Sequence, residues 1–106
     1  IDNYLTPGRL FQILRFSNEY NIDLKKTNLK NLLMIFIKDK IYKKEKYLNE
    51  IFYYFVESFF RKNITINNIG LYNFYSYFLN KINHKKIYNL DEQTLLMELE
   101  DKVLIG

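Results

Sequence analysis

The residue types able to do acid–base or covalent chemistry are few in this chain. His84 is the single histidine, and it stands beside Lys85 and Lys86 with no acid near it in sequence. A general base needs a group that orients it and a substrate within reach; this setting supplies neither, so a solvated histidine is the expected state. Cysteine is absent, which excludes disulfides, thiolate metal sites and thiol nucleophiles. Glu98 and Asp101 fall one helical turn apart with Glu100 between them, a pattern that reads as a solvated acidic face. Gly8, Gly70 and Gly106 are isolated, so the sequence holds no glycine-rich phosphate loop. No catalytic residue, no metal site and no cofactor is expected, and the chain reads as a non-enzyme.

Binding chemistry gives the stronger signals. Lys25, Lys26, Lys30, Lys38, Lys40, Lys43, Lys44 and Lys46 cluster within one stretch, against Asp39 and Glu45. With Tyr42 and Tyr47 interleaved, such a face is suited to phosphate contact and to stacking on unpaired bases of RNA. Lysine outweighs arginine there, which favours point-charge phosphate contact over base readout. Lys62, Lys81, Lys85 and Lys86 are candidates to extend the patch. The competing reading is plain: Asn, Lys, Ile, Tyr and Phe all have AT-rich codons, so a lysine-rich solvated surface also follows from codon bias. Net charge is +4, and the segment from Asp91 onward is acidic while the preceding body is basic.

Aromatic residues give the other binding signal. Ten Tyr and nine Phe exceed what a core of this size encloses. Phe52, Tyr53, Tyr54, Phe59, Tyr72, Tyr75 and Tyr77 are the expected lining of a groove for a partner protein or helical peptide, because tyrosine joins apolar area to a polar tip.

These residues need elements to position them. At 106 residues with 48% hydrophobic content, the chain is one folded domain by expectation and not a disordered segment. It opens on Ile1 without an initiator methionine or a leader-like stretch, which points to a piece of a longer protein. The longest apolar runs, Leu32 to Ile37 and Ile51 to Val56, are far too short to span a membrane. An intracellular setting, cytoplasmic or organellar, is expected.

Periodicity predicts five helices. Thr6-Pro7 is a helix start, with Thr as cap and Pro in the first turn. The first helix then runs to about Tyr20 with Leu10, Phe11, Ile13, Leu14 and Phe16 inward. Thr27 or Asn28 caps the second, which turns Leu29, Leu32, Leu33, Ile35, Phe36 and Ile37 inward and fades into a charged linker from Asp39 to Glu45. The third, Lys46 to Lys62, carries Leu48, Ile51, Phe52, Phe55, Val56, Phe59 and Phe60 at three- and four-residue spacing and is read as the central helix. Asn63 to Ile66 ends it in an extended link. Asn67 or Asn68 caps the fourth, with Ile69, Leu71, Phe74, Tyr75, Phe78, Leu79 and Ile82 inward. Asn83 to Asn89 is a polar connection, and Asp91 caps a short last helix bearing Leu95, Leu96, Leu99, Val103 and Leu104.

The two halves match. Asn21-Ile22-Asp23-Leu24 returns as Asn63-Ile64-Thr65-Ile66 at an offset of 42, and Leu10/Phe52, Ile13/Phe55, Leu14/Val56, Leu29/Leu71, Leu32/Phe74 and Phe36/Phe78 keep that offset. The unit is a helix, a short link and a second helix. Leu29-x-Asn31-Leu32 with Phe36, and Leu71-x-Asn73-Phe74 with Phe78, resemble the repeats of organellar helical-repeat proteins of heptatricopeptide-like or FAST-kinase-like type. That resemblance covers Asn28 to Lys86 and implies stacked hairpins that bind RNA. A solenoid ordinarily needs three or more units.

The same spacing also resembles a pair of degenerate EF-hands, as in calmodulin-like and myosin light-chain proteins. Ile13, Phe16, Leu24, Leu29, Leu32 and Leu33 carry it in the first unit, and Phe60, Ile66, Leu71, Phe74 and Tyr75 in the second. It implies a short two-strand bridge from Ile22–Leu24 and Ile64–Ile66. The first loop then places Ser17, Glu19, Asn21 and Asp23 at ligand positions but Asn28 where a bidentate Glu belongs. The second holds Arg61, Lys62, Asn63 and Thr65, so calcium binding is not expected.

The expectation is therefore an all-α five-helix bundle of two similar hairpins plus a short C-terminal helix. Its expected role is a non-catalytic interaction module for a partner protein, with RNA binding in an organellar assembly as the alternative.

Overall fold

The chain is all-α, as a computed structural model that describes residues 5–88 and 92–105, with side chains for 5–82 and 92–105, shows. Helix α1, Pro7–Tyr20, starts where Thr6 Oγ1 accepts the Arg9 N–H at 3.1 Å. It stops at Asn21, whose left-handed backbone (φ 51°, ψ 46°) turns the chain. There the Ile22 N–H donates to the Ser17 carbonyl at 3.1 Å, and the Ser17 hydroxyl returns a bond to the Ile22 carbonyl at 2.6 Å. Asparagine tolerates this conformation because its short polar side chain makes local hydrogen bonds.

Helix α2, Leu29–Lys38, is capped by Asn28, whose Oδ1 accepts the Asn31 N–H at 2.8 Å. The expected charged linker after it is instead a structured corner. Lys40 takes a left-handed conformation (φ 53°), and Ile41–Lys43 forms a 3₁₀ turn that buries Ile41 and Tyr42. The charged residues around this pair stay in solvent while the turn folds the two apolar side chains under them.

Helix α3 is Lys46–Asn63 and helix α4 is Ile69–Tyr88. Asn68 caps α4, its Oδ1 accepting the Leu71 N–H at 3.2 Å. The helix does not stop at Ile82: the stretch expected as a polar connection continues it to Tyr88. Lysine is a good helix former and that stretch has neither Gly nor Pro, so nothing in it breaks the helix. Helix α5, Glu92–Leu99, runs on into a π-helical turn, Glu100–Ile105. Its expected cap, Asp91, lies outside the described residues. Ile22–Leu24 and Ile64–Ile66 are coil and turn, not the strands of a bridge, and Ile66 is 95% exposed.

Packing divides the chain into two units, Ile1–Phe59 and Phe60–Gly106, with the boundary inside α3. The first is built around Phe36, whose ring centroid lies 4.7 Å from that of Phe16 on α1, and 5.5 and 6.0 Å from those of Phe52 and Phe55 on α3. Tyr42 closes on Phe52 at 5.6 Å. Each such ring, taken out of water, contributes about 2–3 kcal/mol. In the second unit Phe60 stacks on Tyr75 at 4.5 Å and meets Phe74 and Phe78 at 6.3 Å, while Leu95, Leu96, Leu99 and Leu104 are buried beyond α4.

Candidate interaction surfaces

The aromatic residues sort by which face of their helix they occupy. Phe52 and Phe59 are core residues, which removes them from any groove. Tyr53 and Tyr54 are half-buried; the Tyr53 ring meets Phe52 edge-on at 5.0 Å, and the Arg9 guanidinium lies over Tyr54 at 5.8 Å. Tyr75 is half-buried by its stack on Phe60. Tyr77 donates to the Glu98 carboxylate at 3.0 Å, and that carboxylate raises its pKa, with burial adding to the effect. Of the seven expected groove residues, Tyr72 is the most open, at 53% exposure.

Tyr72 is not alone on its face of α4. Ile69, expected inward, is 68% exposed, and Leu79 is exposed as well. Ile69, Tyr72, Ser76 and Leu79 share one stripe of α4 at helical spacing, with Ile66 just ahead of it. Leu71, Phe74, Tyr75, Phe78 and Ile82 fill the opposite face. Asn73 and Asn80 flank the stripe, so it carries no charge.

Helix α1 shows the same arrangement. Ile13 and Phe16 are buried, but Leu10, Phe11 and Leu14, also expected inward, are exposed, Phe11 by 77%. With Pro7 and Asn18 they form a second uncharged stripe. The sequence held a signal for this. Apolar residues at 10, 11, 13, 14 and 16 subtend an arc wider than one neighbouring surface can cover, so part of it had to face out.

The lysines expected to touch phosphate, Lys25, Lys26, Lys30, Lys38, Lys40, Lys43, Lys44 and Lys46, are all exposed. Lys25 and Lys26 sit in the turn before α2, Lys30 and Lys38 on α2, Lys40, Lys43 and Lys44 around the 3₁₀ turn, and Lys46 at the start of α3. No ion pair engages them among the described residues; Glu45 is turned to Arg15 at 3.5 Å. Lys44 lies over the Tyr20 ring at 5.7 Å. The aromatic partners foreseen for base stacking are not available. Tyr42 and Tyr47 are buried, because both are needed under the corner that joins α2 to α3.

Tyr47 anchors a small electrostatic cluster. The Arg15 guanidinium lies over its ring at 4.2 Å and bonds the Glu19 carboxylate at 2.6 Å. The bond from Arg15 is the main cause that lowers the Glu19 pKa. The Tyr47 hydroxyl is buried and meets no partner at full hydrogen-bond geometry among the described residues. Burial first, and the nearby Glu19 carboxylate second, push its pKa up to about 12.

Of the loop residues at calcium-ligand positions, Ser17 bonds Ile22, Glu19 bonds Arg15, and Asp23 accepts the Lys25 N–H at 3.0 Å. No cluster of three metal-ligating side chains occurs among the described residues. No helix among them is long and apolar enough to cross a membrane. The side chains of His84, Lys85 and Lys86 lie outside the described set. Comparison with protein-family models, with characterised proteins and with solved structures finds no match.

Proposed function

We propose that the protein is a non-catalytic helical interaction module that receives a partner protein on the uncharged stripe of α4. The observation that carries this is the exposure of Ile69, Tyr72 and Leu79 on one face of α4, with Ile66 exposed in the turn before it. Interface cores are depleted of charge and enriched in aromatics, and apolar side chains lined up in water are a recurrent mark of a binding face. A photo-crosslinking residue at position 72 tests it in cells. A discrete adduct is expected, lost on Ile69→Glu and absent from a probe at Lys26. Equal labelling from positions 72 and 26 sinks the proposal.

One observation favours a second reading, RNA binding in an organellar assembly: the lysines of the Lys25–Lys46 stretch are exposed without ion pairs among the described residues. On this surface the contact is to the phosphate backbone, since Tyr42 and Tyr47 are buried. Titration of labelled single-stranded RNA tests it. Binding at low salt is expected to weaken sharply when Lys38, Lys40, Lys43 and Lys44 become Glu. No binding at low salt excludes it.

A further inference from the structure

The lysines of the Lys25–Lys46 stretch are mounted on a fixed frame. Helix α2 turns Leu32, Leu33, Phe36 and Ile37 into the core of the first unit and Lys30 and Lys38 to solvent. Those two lysines lie about 12 Å apart along the helix axis. Lys25 and Lys26 stand in the turn before the helix, and Lys40, Lys43 and Lys44 around the 3₁₀ turn after it, all exposed. Positive charge is therefore presented along a rod about 15 Å long and at both its ends. The acids close by in sequence do little to cancel it. Glu45 is turned to Arg15 at 3.5 Å, and Asp23 accepts the Lys25 backbone N–H at 3.0 Å. The rings beside the lysines are committed as well. Tyr42 and Tyr47 are buried, and Tyr20 is half-buried, its ring 5.2 Å from that of Phe16 and beneath the Lys44 ammonium.

We infer that this surface takes double-stranded RNA in preference to single-stranded RNA, and holds it through phosphates alone. A duplex carries one charge per about 1.7 Å of axis, twice the density of either strand, on a backbone that is already ordered. Lysines on a folded frame meet such a line of charge without first arranging it. A flexible single strand has to be ordered as it binds, which costs conformational entropy. Proteins that hold single strands offset that cost by stacking bases on aromatic side chains. Here the rings among the lysines are packed away, so the offset is missing. Lysine adds to the same preference, since its ammonium meets phosphate as a point charge and reads no base edge. RNA duplexes are recognised mostly by shape and by their backbone, which is the contact this surface has to offer. The inference rests on the RNA reading of the stretch and narrows it to one class of RNA.

Fluorescence anisotropy of the intact chain with a labelled RNA duplex, and with one of its strands that does not pair with itself, tests it. At the same low salt the duplex is expected to bind about ten-fold tighter than the strand. One variant carries Lys25→Gln, Lys26→Gln and Lys30→Gln, and a second carries Lys38→Gln, Lys40→Gln and Lys43→Gln. Each is expected to keep its helical circular dichroism and to flatten the duplex salt slope by about 2–3, since both ends of α2 meet phosphate. A single strand that binds as tightly as the duplex overturns the inference, and that comparison needs no variant. Duplex binding left untouched by either triple change overturns it too. If both RNAs bind equally and both are lost when Lys38, Lys40, Lys43 and Lys44 become Glu, the duplex preference falls and the RNA reading stands. If neither RNA binds at low salt, the two fall together.

Discussion

At the scale of single residues, chemical type predicts little until the face is known. Phe36 and Phe11 are both phenylalanines on short amphipathic helices. Phe36 touches rings from α1 and α3, and Phe11 is 77% exposed. Phe36→Ala should cost about 3–5 kcal/mol in urea unfolding, and Phe11→Ser well under 1 kcal/mol. Comparable losses would mean that α1 does not present Leu10, Phe11 and Leu14 to solvent. Tyr47 gives a prediction in pH. Its pKa is about 12 in the fold against 10.0 for the free side chain, so above pH 10 the folded state holds the proton more tightly than the unfolded chain. Stability is therefore unaffected by this group below pH 10, falls as pH rises from about 10 to 12, and then levels off. Tyr47→Phe removes that contribution. The melting temperature of the intact chain should drop more between pH 9 and 11.5 than that of the variant; equal drops would place the hydroxyl in water.

At the scale of elements, the helix starts were legible and the helix faces were not. Thr6-Pro7, Thr27-Asn28 and Asn67-Asn68 announce their helices, with Asn28 and Asn68 the members that cap, because capping is local: one side-chain oxygen meets one backbone N–H three residues on. Which apolar stripe goes inside depends on how many neighbours an element has, and Leu10, Phe11, Leu14, Ile69 and Leu79 were misplaced for that reason. The corner after α2 was hidden differently. Ile41-Tyr42 is two apolar residues among six charged ones, too short to show a period. Of the residues expected to line a partner groove, Tyr72 and Tyr77 reach the surface, while Phe52 and Phe59 belong to the core. The caps of the expected repeat are not in register. Asn28 and Asn68 are 40 residues apart while the core pair Phe36/Phe78 is 42 apart, so the second link is shorter, and Asn63 stays helical where Asn21 turns left-handed. That left-handed turn, and the one at Lys40 (φ 53°), are where the backbone carries strain. A non-glycine residue there costs about 1–2 kcal/mol, with asparagine at the low end. Lys40→Gly should therefore stabilise the fold by about 0.5–1 kcal/mol after its greater unfolded-state entropy is subtracted. Asn21→Gly should gain less. Urea midpoints compare the two, and a destabilised Lys40→Gly would show that the side chain, not the backbone, holds the corner.

At the scale of the whole molecule, the arrangement of charge limits what the lysines can do. Eight exposed lysines lie in one stretch, and the aromatic residues near them are committed to packing. Such a surface offers point charge without a stacking platform, so it should treat a nucleic acid as a line of phosphates. Two consequences separate this from recognition of unpaired bases. The first is the salt slope. Each phosphate neutralised on a single strand contributes about −0.7 to the slope of log K against log salt, so eight lysines bound it near −6, and four Lys→Glu changes should remove at least about half of it. The second is indifference to base composition. Single-stranded homopolymers that stack strongly and weakly should bind within a few-fold of one another at equal length, because Tyr42 and Tyr47, the rings interleaved with these lysines, are buried. A strong preference for one homopolymer, retained at high salt, would require an exposed aromatic in the contact. Tyr72 on the α4 stripe would then be the residue to change, and the two proposed surfaces would serve one ligand.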